Sequence, residues 1–175
     1  MICPDCGHEN IEGADLCEDC HQPLDHLSIP QPATDTEQKL LKNRLRDLVQ
    51  GHGPPIVTAP DTPVGAVLRL LVEHRIGCVL IVEDGALAGI FSERDALMRL
   101  GADAASLTDV PIRQFMTPNP ETLEMKNKIA FALHRMDVGH YRHVPLLVDG
   151  QVKGVISVRD ILRYITDDLV LAEEQ

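Results

Sequence analysis

The sequence has no tryptophan, and only 3% of its 175 residues are aromatic. A core with so few rings is assembled from Val, Leu, Ile and Ala, which suits a buried sheet covered by helices. No apolar run approaches the roughly 18 residues that a membrane-spanning helix needs. The start, MICPDCGHEN, lacks a basic stretch and an apolar stretch, so no secretion signal is read and the expected location is cytoplasmic. Positive charge is missing from residues 1–38, which hold no Lys or Arg and nine Asp or Glu. The whole chain carries a formal net charge of −11. Such a balance repels phosphate backbones, so nucleic-acid binding is not expected. No Ser-His-Asp order, phosphate-binding glycine loop or supported carboxylate pair appears, and no enzymatic activity is expected.

Cysteine is scarce after residue 20: only Cys78 lies beyond it. The other four, Cys3, Cys6, Cys17 and Cys20, form two C-x-x-C pairs, CPDC and CEDC. Two such pairs present four thiolates to a tetrahedral Zn²⁺, and a closed Cys₄ shell is structural rather than catalytic. The segment has too few apolar residues for a core of its own, so the metal supplies its folding free energy. Redox-active dithiols are the competing reading, but the βαβ setting they usually occupy is absent. His8 and His21 are surface residues if the four cysteines complete the shell. The expected boundaries are a zinc ribbon over 1–27, a proline-containing linker over 28–35 and a linker helix over 36–50. Leu41, Leu45, Leu48 and Val49 mark the apolar stripe of that helix. Its basic residues leave two readings open, contact with a membrane or acidic partner, or an exposed face of a packed helix.

The rest of the chain is written twice. Residues 89–95 read GIFSERD and residues 154–160 read GVISVRD. A shift of 65 positions carries Pro55 onto Pro120, Leu68 onto Leu133, Val79 onto Val144 and Asp84-Gly85 onto Asp149-Gly150. Each half reads as a short extended segment, a helix, an apolar strand, an Asp-Gly turn, a second strand and a helix opening at the serine. The pattern predicts β-α-β-β-α in residues 51–107 and again in 108–170, with a tail over 171–175.

An apolar strand, D-G, G-h-h-S-x-R-D and a closing helix resemble the CBS domain, and two in tandem resemble a CBS pair, or Bateman module. VPIRQFMTPNPET is similar to the family's usual lead into a second repeat. The resemblance covers residues 54–166 and implies a mixed α/β (α+β) fold of two repeats packed about a pseudo-twofold axis, preceded by the ribbon and the linker helix. It implies a regulatory sensor that binds an adenosine-containing ligand (AMP, ADP or ATP) between the repeats and signals to a protein partner, as a homodimer. Asp95 and Asp160 are then ribose ligands, and Ser92 and Ser157 ribose or phosphate contacts. Arg94 and Arg159 lie inside the motifs, within reach of a phosphate.

Arg142 and His143 cluster with His140 before a strand that continues into Val144 and Pro145; Arg142, His143, Val144 and Pro145 are ligand candidates. The first repeat has Arg75-Ile76-Gly77-Cys78 there, so the site using GHYRHVP is expected to be the more basic and to suit a polyphosphate. Thr58 ends the first extended segment, where the family often meets its ligand; the aligned residue is Leu123, with Thr122 beside it. Cys78 aligns with His143 and joins the candidates, although a lone cysteine of this kind is more often core. The same S-x-x-D residues also read as capping boxes, which need no ligand. On that reading the protein is an interaction module acting through its ribbon; a nucleic-acid-binding zinc ribbon is a third reading.

Overall fold

Two Asp-Gly pairs fix the hairpins of the larger unit. Asp84 and Gly85 have φ of 49° and 81°, and Asp149 and Gly150 have 51° and 75°. Two successive positive-φ residues match the twist of the strands they join, and Asp-Gly supplies them at low cost. The computed structural model describes residues 2–10, 14, 16–24 and 34–173. They form two compact units, Met1–Lys39 and Leu40–Gln175. The linker expected over 28–35 lies, through residue 33, outside the described residues.

The helices are α1 (Asp35–Lys42), α2 (Leu45–Leu48), α3 (Val64–His74), α4 (Glu93–Asp95), α5 (Ile129–Gly139) and α6 (Val158–Glu173). The strands are β1 (Val57–Thr58), β2 (Cys78–Glu83), β3 (Ala86–Ser92), β4 (Thr117–Pro118), β5 (Leu123–Glu124), β6 (His143–Val148) and β7 (Gln151–Ser157). One sheet has the order β1-β2-β3-β4 and the other β5-β6-β7. The expected β-α-β-β-α order is present twice, as a mixed α+β fold. The repeat extends to register: Cys78 pairs with Ser92 as His143 pairs with Ser157, and equivalent irregularities follow Ile81 and Leu146.

Alternation along the strands divides the core. Val79, Ile81 and Phe91 face a cluster with Val64, Val67 and Leu71 of α3. Cys78, Leu80 and Ile90 face the other way, against Val152 and Val155 of the second sheet. Both faces of β2 are therefore buried, which is why CVLIV is an unbroken apolar run. In the second repeat Val144, Leu146 and Ile156 pack with Ile129, Ala132 and Met136.

The two repeats exchange the segments that precede them. Leu45, ahead of the first repeat, is fully buried in the second repeat's core. Ile112, ahead of the second, is fully buried in the first repeat's core. Matching backbone bonds hold both segments. Leu45 and Arg46 N–H groups donate to Asn127 and Met125 carbonyls at 2.9 and 3.0 Å, and Ile112 and Arg113 donate to Thr62 and Pro60 at the same distances. A boundary drawn at 107/108 thus separates Ile112 from the core it completes.

The exchange also corrects the linker helix. The helix expected over 36–50 is two pieces, because Arg44 is extended (φ −104°, ψ 159°) and bridges Lys128. The backbone there serves the second repeat instead of continuing the helix. A second correction concerns the first closing helix. SERDALMRL gives only three α-helical residues before a π-helical stretch, Ala96–Leu100, which ends at Gly101 (φ 53°). Its counterpart α6 runs sixteen residues, through Glu173, and takes in part of the expected tail.

Candidate functional site

In the smaller unit, two tight turns present the cysteines. Cys3 N–H donates to the His8 carbonyl and Gly7 N–H to the Cys3 carbonyl; Cys17 and His21 repeat the pattern with Gln22 and Cys17. Gly7 (φ 80°) and His21 (φ 56°) occupy equivalent left-handed positions. The four sulfurs lie within 4.8 Å of one another, a set able to hold a metal ion. Cys3 and Cys20 sulfurs are 3.6 Å apart, as are those of Cys6 and Cys17. Buried Asn10 donates to the His8 carbonyl and to the Cys17 sulfur, tying one turn to the other. Burial would raise the Cys17 thiol, but backbone N–H groups of Cys20 and Asp19, with the Asn10 amide, hold it down at about 6. The Cys6 thiol goes the other way: the His8 backbone lowers it, while burial and the neighbouring sulfurs push it up to about 12. His8 is exposed, and His21 likewise.

In the larger unit, a cleft of about 1040 Å³ runs between the repeats. Both S-x-R-D motifs line it: Ser92, Arg94, Asp95, Ser157, Arg159 and Asp160, together with Cys78, Arg142 and His143. Each motif is a formed capping box. Asp95 Oδ2 accepts from Ser92 N–H (2.9 Å) and Oγ (2.6 Å), and Asp95 N–H donates back to Ser92 Oγ at 3.3 Å. Asp160 and Ser157 do the same at 2.7, 2.6 and 3.3 Å. The next residue locks each helix start to its strand: Glu93 N–H donates to the Gly77 carbonyl, and Val158 N–H to that of Arg142.

The strand starts meet across the cleft. A Cβ on Gly77 would collide with the His143 imidazole, so the ring occupies space that only glycine leaves. Burial lowers the His143 pKa, with Arg142 and Arg159 acting the same way and Glu93 and Asp160 opposing them. The Cys78 thiol is pushed up to about 12 by burial, reinforced by the carboxylates of Asp160, Glu93 and Asp95. Cys78 is thus both a core residue, as a lone cysteine suggests, and part of the cleft wall.

Four candidates stand outside the lining. Val144 is fully buried in the second core, because alternation turns its side chain away from that of His143. Pro145 is buried on β6. Thr58 Oγ1 is bonded to Thr62 Oγ1 at 2.6 Å, and Thr122 is half-buried before β5. The sequence reasoning missed Lys153, Arg163, Tyr141 and Arg75 in the lining. It also missed Arg99, whose Nε lies 3.2 Å from Asp95 Oδ1. Its i+4 spacing from Asp95 was the available signal.

The CBS domain model matches residues 45–102 and 112–167. A CBS domain-containing protein of Arabidopsis thaliana is 28% identical over 125 residues, 71% of this chain but 22% of the relative. The chain thus spans under a quarter of that relative's length. A CBS-domain protein from Agrobacterium tumefaciens superposes with a TM-score of 0.65 and 27% identity, covering 70% of this chain and 98% of the other. A CBS domain protein from Pyrobaculum aerophilum, solved in complex with AMP, gives a TM-score of 0.61 at 24% identity, covering 71% and 99%.

Proposed function

The chain belongs to the CBS-domain family, and from that premise we propose that it is a non-catalytic sensor binding an adenosine nucleotide in the cleft between its repeats. The observation that carries this reading is charge. A chain of net charge −11 gathers Arg75, Arg94, Arg142, Lys153, Arg159 and Arg163 around one cleft, with four histidines, against Glu93, Asp95, Glu121 and Asp160. Cations concentrated in a concave site of an otherwise acidic molecule select an anion, here the phosphates. A carboxylate at a motif helix start accepts the ribose hydroxyls. The relative with bound AMP supports the ligand class.

The bound state reaches a protein partner only if the ligand favours one of two shapes of the module. A second copy of the chain is the proposed cover for exposed Leu97, its counterpart Leu162, and Met98. The ribbon is proposed to hold structural Zn²⁺. Tetrahedral Zn–S bonds of about 2.3 Å give S···S edges of about 3.8 Å, close to the 3.6 Å separations. The acidic surface of the ribbon disfavours nucleic acid. No helix among the described residues is long and apolar enough to cross a membrane, and the proposed location is the cytoplasm.

The test is thermal unfolding of the zinc-loaded protein with AMP, ADP, ATP, S-adenosylmethionine and NADH. A ligand at 100 times its Kd adds about 2.7 kcal/mol, a clear rise in midpoint. A null result with the whole panel would refute the reading. It would favour a second one that the formed capping boxes support: S-x-R-D motifs that only cap helices, in a protein acting through its ribbon.

A further inference from the structure

The two motifs share sequence and capping geometry, yet their carboxylates have different surroundings. Oδ2 is taken up by the serine in both. The outer oxygen of Asp95 faces Arg99 Nε at 3.2 Å. Arg99 is itself pinned: one terminal nitrogen donates to the Phe115 and Met116 carbonyls, each at 2.7 Å, and the other to Thr117 Oγ1 at 2.9 Å. Swinging Arg99 away from Asp95 would break those three bonds. The 65-residue shift places Tyr164 opposite Arg99, and the Tyr164 hydroxyl is bonded to the Asn43 amide instead. Among the described residues no ion pair holds Asp160.

Cation placement differs in the same sense. Arg142, Lys153 and Arg163 line the cleft from the second repeat, and the shift puts Gly77, Ala88 and Met98 in their places. Glu93 adds a negative charge beside Asp95, where the second motif has Val158.

We propose that Arg99 makes the sites unequal: it occupies the Asp95 carboxylate, so ribose recognition falls to Asp160 and each chain binds one nucleotide. The proposal rests on the nucleotide reading and names which half serves it. A ribose hydroxyl approaching Asp95 meets an acceptor already engaged by a guanidinium that three further hydrogen bonds hold in place. The same hydroxyl approaching Asp160 meets an open oxygen beside the extra cations that receive the phosphates.

Equilibrium dialysis with ATP tests this on the full chain. The wild type binds one ATP per chain. Asp160→Asn, which retains a capping oxygen, weakens binding at least tenfold. Asp95→Asn, on the carboxylate that Arg99 engages, weakens it severalfold less than Asp160→Asn does. Arg99→Tyr, copying the second repeat, adds a second equivalent; Arg99→Gln serves if the tyrosine variant does not fold. Two equivalents in the wild type, or equal losses in the two Asp→Asn variants, would overturn the inference while leaving the nucleotide reading intact. Absence of binding in the wild type would overturn both.

Discussion

Leu45→Ala tests the exchange of lead-in segments most directly. Leu45 lies ahead of the first repeat in sequence but has 0% exposure inside the second repeat's core, with Ile129, Val144, Leu146 and Ile156. Truncating an enclosed leucine costs about 2–5 kcal/mol, the larger values where the site cannot collapse. Leu45 is held from both sides by backbone bonds from Leu45, Arg46 and Ile129 to Asn127, Met125 and Asn43, so collapse is restricted and about 3 kcal/mol is expected. For a unit of this size that is a fall of about 10 °C in Tm. Differential scanning calorimetry measures it, with Val72→Ala, at a residue 76% exposed, as a control expected to move Tm by about 2 °C or less. Hydrogen exchange locates the damage: amides of β5, β6 and β7 lose protection before those of β1, β2 and β3. A fall under about 3 °C, or loss of protection first in the first repeat, would refute the exchange.

Three further outcomes follow from the same structure. Gly77→Ala drives a methyl group into the His143 ring, whose Cε1 lies 2.8 Å from the new Cβ, and lowers Tm; adding His143→Ala restores most of the loss, and a double mutant no better than the single would contradict that contact. His143 is held below its ordinary pKa of 6.5 by burial, so the unfolded chain takes up its proton first as pH falls; the stabilisation is full above about 6.5 and is lost from there down through the folded pKa. The wild type should therefore lose stability relative to His143→Asn as pH falls from 7 to 5 in urea melts, and parallel curves would count against it. Chelating the Zn²⁺ proposed for the cysteine cluster should make Cys3, Cys6, Cys17 and Cys20 reactive toward a disulfide reagent at pH 8, while Cys78, 5% exposed and pushed up to about 12, stays silent until the chain unfolds; Cys78 reacting as fast as the cluster would refute its placement.

Local chemistry made much of this legible in sequence. Asp-Gly needs no tertiary context to favour a tight turn, and CVLIV, short, rich in β-branched residues and bounded by turn signals, favours a buried strand. Two C-x-x-C pairs bring four sulfurs together through turns a few residues long. What escaped depended on partners distant in sequence. The helix expected over 36–50 breaks at Arg44 because Lys128 and Asn127 claim its backbone. The 65-residue alignment starts at Pro55 and stops short of Leu45. The spacing there differs by two residues from that ahead of the second repeat, so pattern matching did not pair Leu45 with Ile112. Val144 sat in a promising stretch, but strand alternation sent its side chain into the core.

The sequence by itself determined that the chain carries a doubled motif and a cysteine cluster, because both rest on contacts between near neighbours. It pointed to unequal cations, through GHYRHVP against Arg75-Ile76-Gly77-Cys78, but it could not determine that the two motif carboxylates are held differently. Both read S-x-R-D, and the difference lies in Arg99, which is held by carbonyls of the other repeat's lead-in segment. Only the tertiary structure brings Phe115, Met116 and Thr117 to that guanidinium, since hydrogen bonds between groups 16 to 18 residues apart exist only once the segments have exchanged and packed.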